Sequence, residues 1–295
     1  MLFCSVGDVR AFFEKYWLSM TDDIQHRLKK ALDNPRCIIP HEHLLTLLIH
    51  ELTYNLPQPT FSPQVPFGNR LIEEELSADA LMMSMHADSL VAQLNTDQKT
   101  IFDTIVGRVV AEQPGFFFVC GHGGTGKTFM WNALIAKIRS RNKIVLAVAS
   151  SGVASLLLPK GRTAHSRFKI PIEINETSLC NVKRGTMLAE LLENTSLIIW
   201  VDASMRYRCC FVALDRSLRV ILSEICPSNG VVPFGGKIVV LGGDFRQILP
   251  VVPKGSRSTI IDASITNSKL WKHVVMLRLN VNMRLLNPSL PNTQK

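Results

Sequence analysis

The sequence has no Cys-x-x-Cys pair, and its seven cysteines are scattered along the chain. That argues against both a disulfide framework and a zinc ribbon as the basis of the fold. Adjacent Cys209 and Cys210 are expected to be packing positions, the usual fate of free cysteine. No apolar run approaches the roughly 18 residues needed to cross a bilayer, so no membrane is expected among the partners. The first ten residues lack a basic stretch leading into a long apolar core, which argues against a secretory leader. Internal repeats and low-complexity tracts are also missing. What remains is a globular composition, 46% hydrophobic and 19% charged over 295 residues, enough for one or two domains.

Charge is distributed unevenly. Residues 1–90 hold 7 basic and 12 acidic side chains, a balance of −5, whereas the remainder holds 26 and 12, a balance of +14. A positive field confined to one part of the chain suits a polyanion such as nucleic acid, although a solvated basic surface fits the charge equally well.

Apolar positions recur at helical spacing over residues 8–32 and 41–54, and four prolines break the pattern between Asn55 and Asn69. A further helical stretch runs over 70–94. We read residues 1–90 as a helical amino-terminal extension, in which the run Glu73-Glu74-Glu75 is expected to be a solvated helix face. From residue 91 to 295 compact β-branched runs alternate with helical patterns. Strands are expected over 116–120, 144–149, 197–201 and 238–241, with a helix over 127–139. That alternation predicts an α/β domain with a mainly parallel sheet and helices on both faces.

Gly121-His122-Gly123-Gly124-Thr125-Gly126-Lys127-Thr128 fits the phosphate-loop pattern G-x-x-x-x-G-K-[ST] and sits between a predicted strand and a predicted helix. At ordinary glycine abundance a chance match in a chain of this length is on the order of one in a hundred, so the run is read as a site. Gly121, Gly123, Gly124 and Gly126, with Thr125, let backbone N–H groups converge on phosphate oxygens at a helix amino terminus. Lys127 is expected on the β- and γ-phosphates and the Thr128 hydroxyl on Mg²⁺. Upstream, Asn95 or Thr96 caps a helix, and Gln98 carries the paired donor and acceptor that an adenine edge needs. The cofactors expected are ATP and Mg²⁺.

Several further segments occur in order, and with the phosphate loop they resemble the petite-integration-frequency helicases of superfamily one and their relatives in Helitron transposons. The likeness runs from about Leu94 to Leu285. Leu94 to Gln98 resembles the adenine-reading motif. Ala149 to Ala154 and Gly161 to Phe168 resemble the two single-strand-contacting motifs of the first motor domain. The resemblance thus implies that Ser150, Ser151, Arg162, Thr163, His165, Arg167 and Phe168 meet single-stranded DNA, their hydroxyl, cationic and stacking groups being suited to that ligand. For His165 and Phe168, burial in the core fits equally well. Gly243 to Pro250 resembles the motif coupling phosphate to DNA, with Gln247 as the sensor, and Asn282 to Leu285 resembles the segment closing the domain.

The resemblance implies a P-loop NTPase (RecA-like) fold, 5′-to-3′ DNA helicase activity, and roles in DNA repair, recombination and telomere maintenance. It also implies residence in the nucleus, with the mitochondrion as the alternative. The resemblance also implies a second motor domain with an arginine finger, worth about 10³ to 10⁵ in rate; residues 1–295 do not include it, so the chain alone is not expected to translocate. A generic P-loop kinase or GTPase shares the cradle but none of the other segments.

One departure matters. The family ends its Walker B strand with an aspartate that holds the metal and a glutamate that orients water. Here Trp200 is followed by Val201-Asp202-Ala203-Ser204-Met205. Aligned on Trp200 and Met205, Val201 takes the aspartate's place and Asp202 the glutamate's. Slipped by one, Asp202 serves the metal and Ala203 stands where the base belongs. Either way one carboxylate is missing, and a well-placed base is worth about 10² to 10⁴ in rate. Two expectations follow: a nucleotide- and DNA-binding helicase motor with little turnover, or a non-catalytic nucleic-acid-binding remnant of a transposon-type helicase.

Overall fold

The β-branched runs are too uniformly apolar to leave a face in water, and the computed structural model places them side by side in one sheet. The structure describes residues 68–77, 80–247, 249–252 and 254–285. The helices expected over 8–32 and 41–54, and nearly all of the proline-broken segment, lie outside the described residues.

Six strands are described: β1 Gly115–Cys120, β2 Ile144–Ala149, β3 Arg162–Thr163, β4 Thr195–Val201, β5 Ile238–Gly243 and β6 Val275–Arg278. All pairings are parallel, in the order β3-β2-β4-β5-β1-β6. The four central strands fall where the sequence puts them, within three residues at either end. β3 and β6 are additions, two and four residues long, too short to leave a periodic signal.

Between and around the strands lie α1 Arg70–Leu76, α2 Ala80–Ala92, α3 Thr96–Val110, α4 Lys127–Arg139, α5 Gly152–Ser155, α6 Ala164–Phe168, α7 Met187–Asn194, α8 Arg208–Leu222 and α9 Arg257–Ala263. Side chains alternate across the sheet. Phe117, Val119, Leu197, Ile199 and Val240 pack with α3 and α4 through Ile105, Met130, Trp131 and Leu134. Residues of the opposite parity face the other helices: Trp200 stacks at a tilt on Phe211 of α8, ring centres 4.5 Å apart, and Phe116 meets Phe234 edge-on at 4.8 Å. Gly242 is where the first layer closes tightest, since a Cβ there would stand 2.7 Å from the Trp131 ring.

Of the described residues, 68–73 and 183–191 group together, and 74–182 with 192–285 form the larger unit. In the smaller group Asn69 Nδ2 donates to the Met187 carbonyl at 2.8 Å and to the Glu190 carboxylate at 3.2 Å. In the larger one α2, which spans the residue-90 boundary drawn from the sequence, packs on α4, and Lys137 pairs with Asp88 at 2.7 Å. Glu75 corrects the expectation of a solvated acidic face. Instead of a solvated face, its carboxylate is 4% exposed and accepts from two buried arginines, Arg139 at 2.9 Å and Arg167. Arg139 is the last residue of α4 and also donates to the Val145 and Pro159 carbonyls, so the acid fixes the far end of the phosphate-loop helix.

Candidate functional site

Because the strands are parallel and in register, their carboxyl ends form one edge: Cys120 pairs with Gly243, and Ala149 with Val201. The loops that follow, at 121–127, 150–151, 202 and 244–247, gather there, the usual ligand side of an open parallel sheet. β5 lies between β1 and β4, so roughly 10 Å separates the phosphate loop's strand from the strand that carries Asp202.

The loop turns through two left-handed glycines, Gly124 (φ +90°) and Gly126 (φ +75°), and Gly123 faces open space. A Cβ on Gly126 would sit 2.4 Å from Gln98 Nε2. Lys127 Nζ donates to the Gly121 carbonyl and, at 3.1 Å, to that of His122. Burial pushes its ammonium below the usual lysine range, while the carboxylates of Asp244 and then Asp202 pull it back up. Thr128 is exposed on the first turn of α4, and Thr125 is buried, its hydroxyl donating to His122 O at 2.9 Å.

Gln98, expected at an adenine edge, is 1% exposed and braces the loop from behind. Its Nε2 donates to Thr125 O at 3.0 Å, and its Oε1 accepts from Asn95 N–H at 3.1 Å in a reciprocal cap of α3. The segment after β6 completes the brace. Leu279 N–H donates to Cys120 O, and Met283 N–H to Gly124 O, both at 2.9 Å, while Asn95 Nδ2 meets Met283 Sδ at 3.0 Å. Asn95 and Met283 thus belong to the cradle's support, a role that a motif order alone does not assign.

A strand, a glycine turn and a helix carrying lysine at its start thus lie under a parallel edge closed by the 279–283 segment. The model of the PIF1-like helicases covers residues 93–295. The chain belongs to the PIF1-like helicase family. Among its relatives, the ATP-dependent DNA helicase Pif1 of Psychrobacter sp. is 33% identical over 140 residues, which is 47% of this chain and 20% of that protein. The corresponding Campylobacter jejuni protein is 30% identical over 154 residues, 50% of this chain and 31% of its own length. A Pif1 helicase from Bacteroides, solved in complex with ADP-AlF3 and single-stranded DNA, is 27% identical with a TM-score of 0.52; the likeness covers 63% of this chain and 43% of that one. The chain therefore spans less than half the length of the relatives it matches.

At the tip of β4 this PIF1-like chain is thinner in chemistry. Val201 is half-buried and packs against the core on the α4 side. Asp202 follows in a left-handed conformation (φ +53°), its carbonyl accepting from Ser150 Oγ at 2.8 Å. Among the described residues no group of three or more His, Cys, Asp or Glu is placed to hold a metal. Mg²⁺ normally keeps several waters and leans on one or two carboxylates plus phosphate. Thr128 and Asp202 fit that donor set with one carboxylate fewer. Asp244, at the tip of β5, is 6% exposed and accepts from Arg246 N–H at 3.0 Å; it is the acid with the larger effect on Lys127. Gln247 is exposed on the same turn, its N–H on Asp244 O at 3.1 Å.

The residues expected at single-stranded DNA separate into two groups. Ser151 is exposed and caps α5 through the Ala154 N–H at 3.2 Å, and half-buried Thr163 caps α6. Arg162 is exposed, with Glu74 at 3.5 Å. Half-buried His165 is held below the usual histidine range by burial and then by Arg206. Ser151 and His165 line a cleft of about 610 Å³ with Ser150, Arg206, Tyr207 and Arg208. The other group is a correction. Arg167 is 4% exposed and paired with Glu75, and Phe168 is fully buried with its ring 6.0 Å from Trp200, so neither reaches a strand. Ser150 is 5% exposed, and its hydroxyl also accepts from Trp200 Nε1 at 3.2 Å. It ties β2 to β4 instead of presenting a free hydroxyl. Tyr207, 37% exposed between two arginines, lines the same cleft, outside every motif named from the sequence. The interleaved run Arg206-Tyr207-Arg208 was the available signal.

Proposed function

We propose that this chain binds ATP at the Gly121–Thr128 loop and single-stranded DNA in the adjoining cleft, as the first motor domain of a 5′-to-3′ DNA helicase, with slow hydrolysis. The observation that carries the reading is Lys127. A half-buried ammonium at the mouth of a left-handed glycine turn, held only by loop carbonyls, is arranged to exchange those acceptors for phosphate oxygens. The complex of the Bacteroides relative with ADP-AlF3 and single-stranded DNA supports the same two ligands.

Thr128 and Asp202 would hold Mg²⁺, which supplies charge neutralisation on the phosphates when bound. The chain's own part is positioning. Loop N–H groups and Lys127 orient the triphosphate, Gln247 lies on the turn beside Asp244, Ser151 and His165 offer the strand a hydroxyl and a neutral imidazole in the cleft, and exposed Arg162 offers a guanidinium. No side chain at 201 can accept from water, which is why turnover is placed low. That same valine supports the second reading, a non-catalytic module that grips nucleic acid.

A nucleotide titration with and without Mg²⁺, followed by DNA-stimulated ATP hydrolysis, tests the proposal. Lys127→Ala is expected to weaken ATP binding about 10- to 100-fold, the worth of a charge-assisted contact. Robust turnover in the wild type would contradict slow hydrolysis, and no ATP binding at millimolar ligand would remove the motor reading altogether.

A further inference from the structure

A second cleft, of about 770 Å³, opens on the outer side of α8 and is lined by Arg208, Arg216, Arg219, Lys269, Lys272 and Glu176 among others. Its acids are already matched. Glu176 pairs with Arg208; Asp215 pairs with Arg219 at 2.9 Å and accepts from Phe234 N–H at 2.6 Å. That leaves Arg216, Lys269 and Lys272 as surplus positive charge. Both lysines are exposed and have no partner among the described residues, while Arg216 donates to the Glu176 carbonyl at 2.7 Å. Arg208 adds a sign of unmet capacity, since its buried Nε has no hydrogen-bond partner.

Two features identify the ligand. Arg208 lines both clefts, so the second adjoins the first. The linings also differ in chemistry: the first mixes Tyr207, Ile172 and Val251 with hydroxyls, a surface for bases, whereas the second has cations and no Phe, Tyr or Trp. Cations without a stacking platform suit phosphodiester groups. We propose that the second cleft holds the sugar-phosphate backbone of the nucleic acid as it leaves the first cleft, with Lys269 and Lys272 as its phosphate contacts. This rests on the reading of the first cleft as a single-strand site.

The test is the salt dependence of binding to an oligodeoxynucleotide of roughly 16 nucleotides, the upper end of what one single-strand site covers. Lys269→Ala/Lys272→Ala is expected to lower the slope of log K against log salt by about 1.4, at about 0.7 per phosphate contact. Lys269→Arg/Lys272→Arg should keep the wild-type slope, and ATP binding should be the same in all three proteins. An unchanged slope in the alanine variant overturns this proposal alone. A wild type that binds no DNA but still binds ATP overturns the single-strand reading, and this one with it. Displacement of the oligonucleotide by polyglutamate at equal charge concentration, lost in the alanine variant, would make the cleft an acidic-polypeptide site and also overturn it.

Discussion

The phosphate loop and the tip of β4 lie on the same edge of one sheet, two strands apart, yet they are built to different standards. Around the loop the supporting groups are engaged while most of the loop's own N–H groups are left for a ligand: Gln98 and Asn95 cap each other beneath it, Met283 bonds Gly124, and Lys127 rests on two carbonyls. At the tip of β4 an apolar side chain, Val201, stands beside a single carboxylate, Asp202. Holding a nucleotide and cleaving it make separate demands on a fold. On the function proposed above, this chain keeps the binding half and has a reduced cleaving half.

Restoring the acids is the largest test of that contrast. Val201→Asp with Asp202→Glu should raise DNA-stimulated ATP hydrolysis by about 10² to 10⁴, the worth of a well-placed base, when measured as phosphate release with a second motor domain supplied. No gain would mean that the contrast lies elsewhere than in the carboxylates. The next test attacks the cradle's support. Glu75→Gln leaves Arg139 and Arg167 buried without their carboxylate and should cost about 3 to 5 kcal/mol in denaturant unfolding. A loss under 1 kcal/mol would show that the far end of α4 does not depend on this cluster.

The smallest effect concerns protonation. Phosphate binding uses the charged form of Lys127, whose ammonium is disfavoured by burial and favoured by Asp244 and Asp202. Removing either carboxylate lowers that pKa further, so ATP affinity should begin to fall at a lower pH as the solution is made alkaline. Asp244→Asn should shift the alkaline limb of the pH profile more than Asp202→Asn does. The reverse order would place the electrostatic partner of the loop on β4 instead of β5.

The cradle and the central strands were legible because their signals are local: a glycine spacing within eight residues, and β-branched runs that only a buried strand accommodates. What the sequence hid depends on distant partners. Arg167 reads as a cation for DNA until Glu75, 92 positions away, is folded against it. Phe168 and Ser150 read as ligand contacts until Trp200 arrives beside both. Gln98 has the groups for a base edge, but the fold buries it and spends one bond at each end on Thr125 and Asn95. Each miss is a polar or aromatic side chain whose local motif is correct and whose three-dimensional neighbour takes the place of the ligand.

The exit of the chain from the sheet has a mechanical side. After β6 the backbone is stitched to the phosphate loop twice, by Leu279 on Cys120 and by Met283 on Gly124, so residue 285 emerges from a segment fastened to the nucleotide's own turn. Tension applied there reaches Gly124 through the Met283 amide and the end of β1 through the Leu279 amide. A load on residue 285 therefore bears on the glycine turn, and a change in the turn moves residue 285.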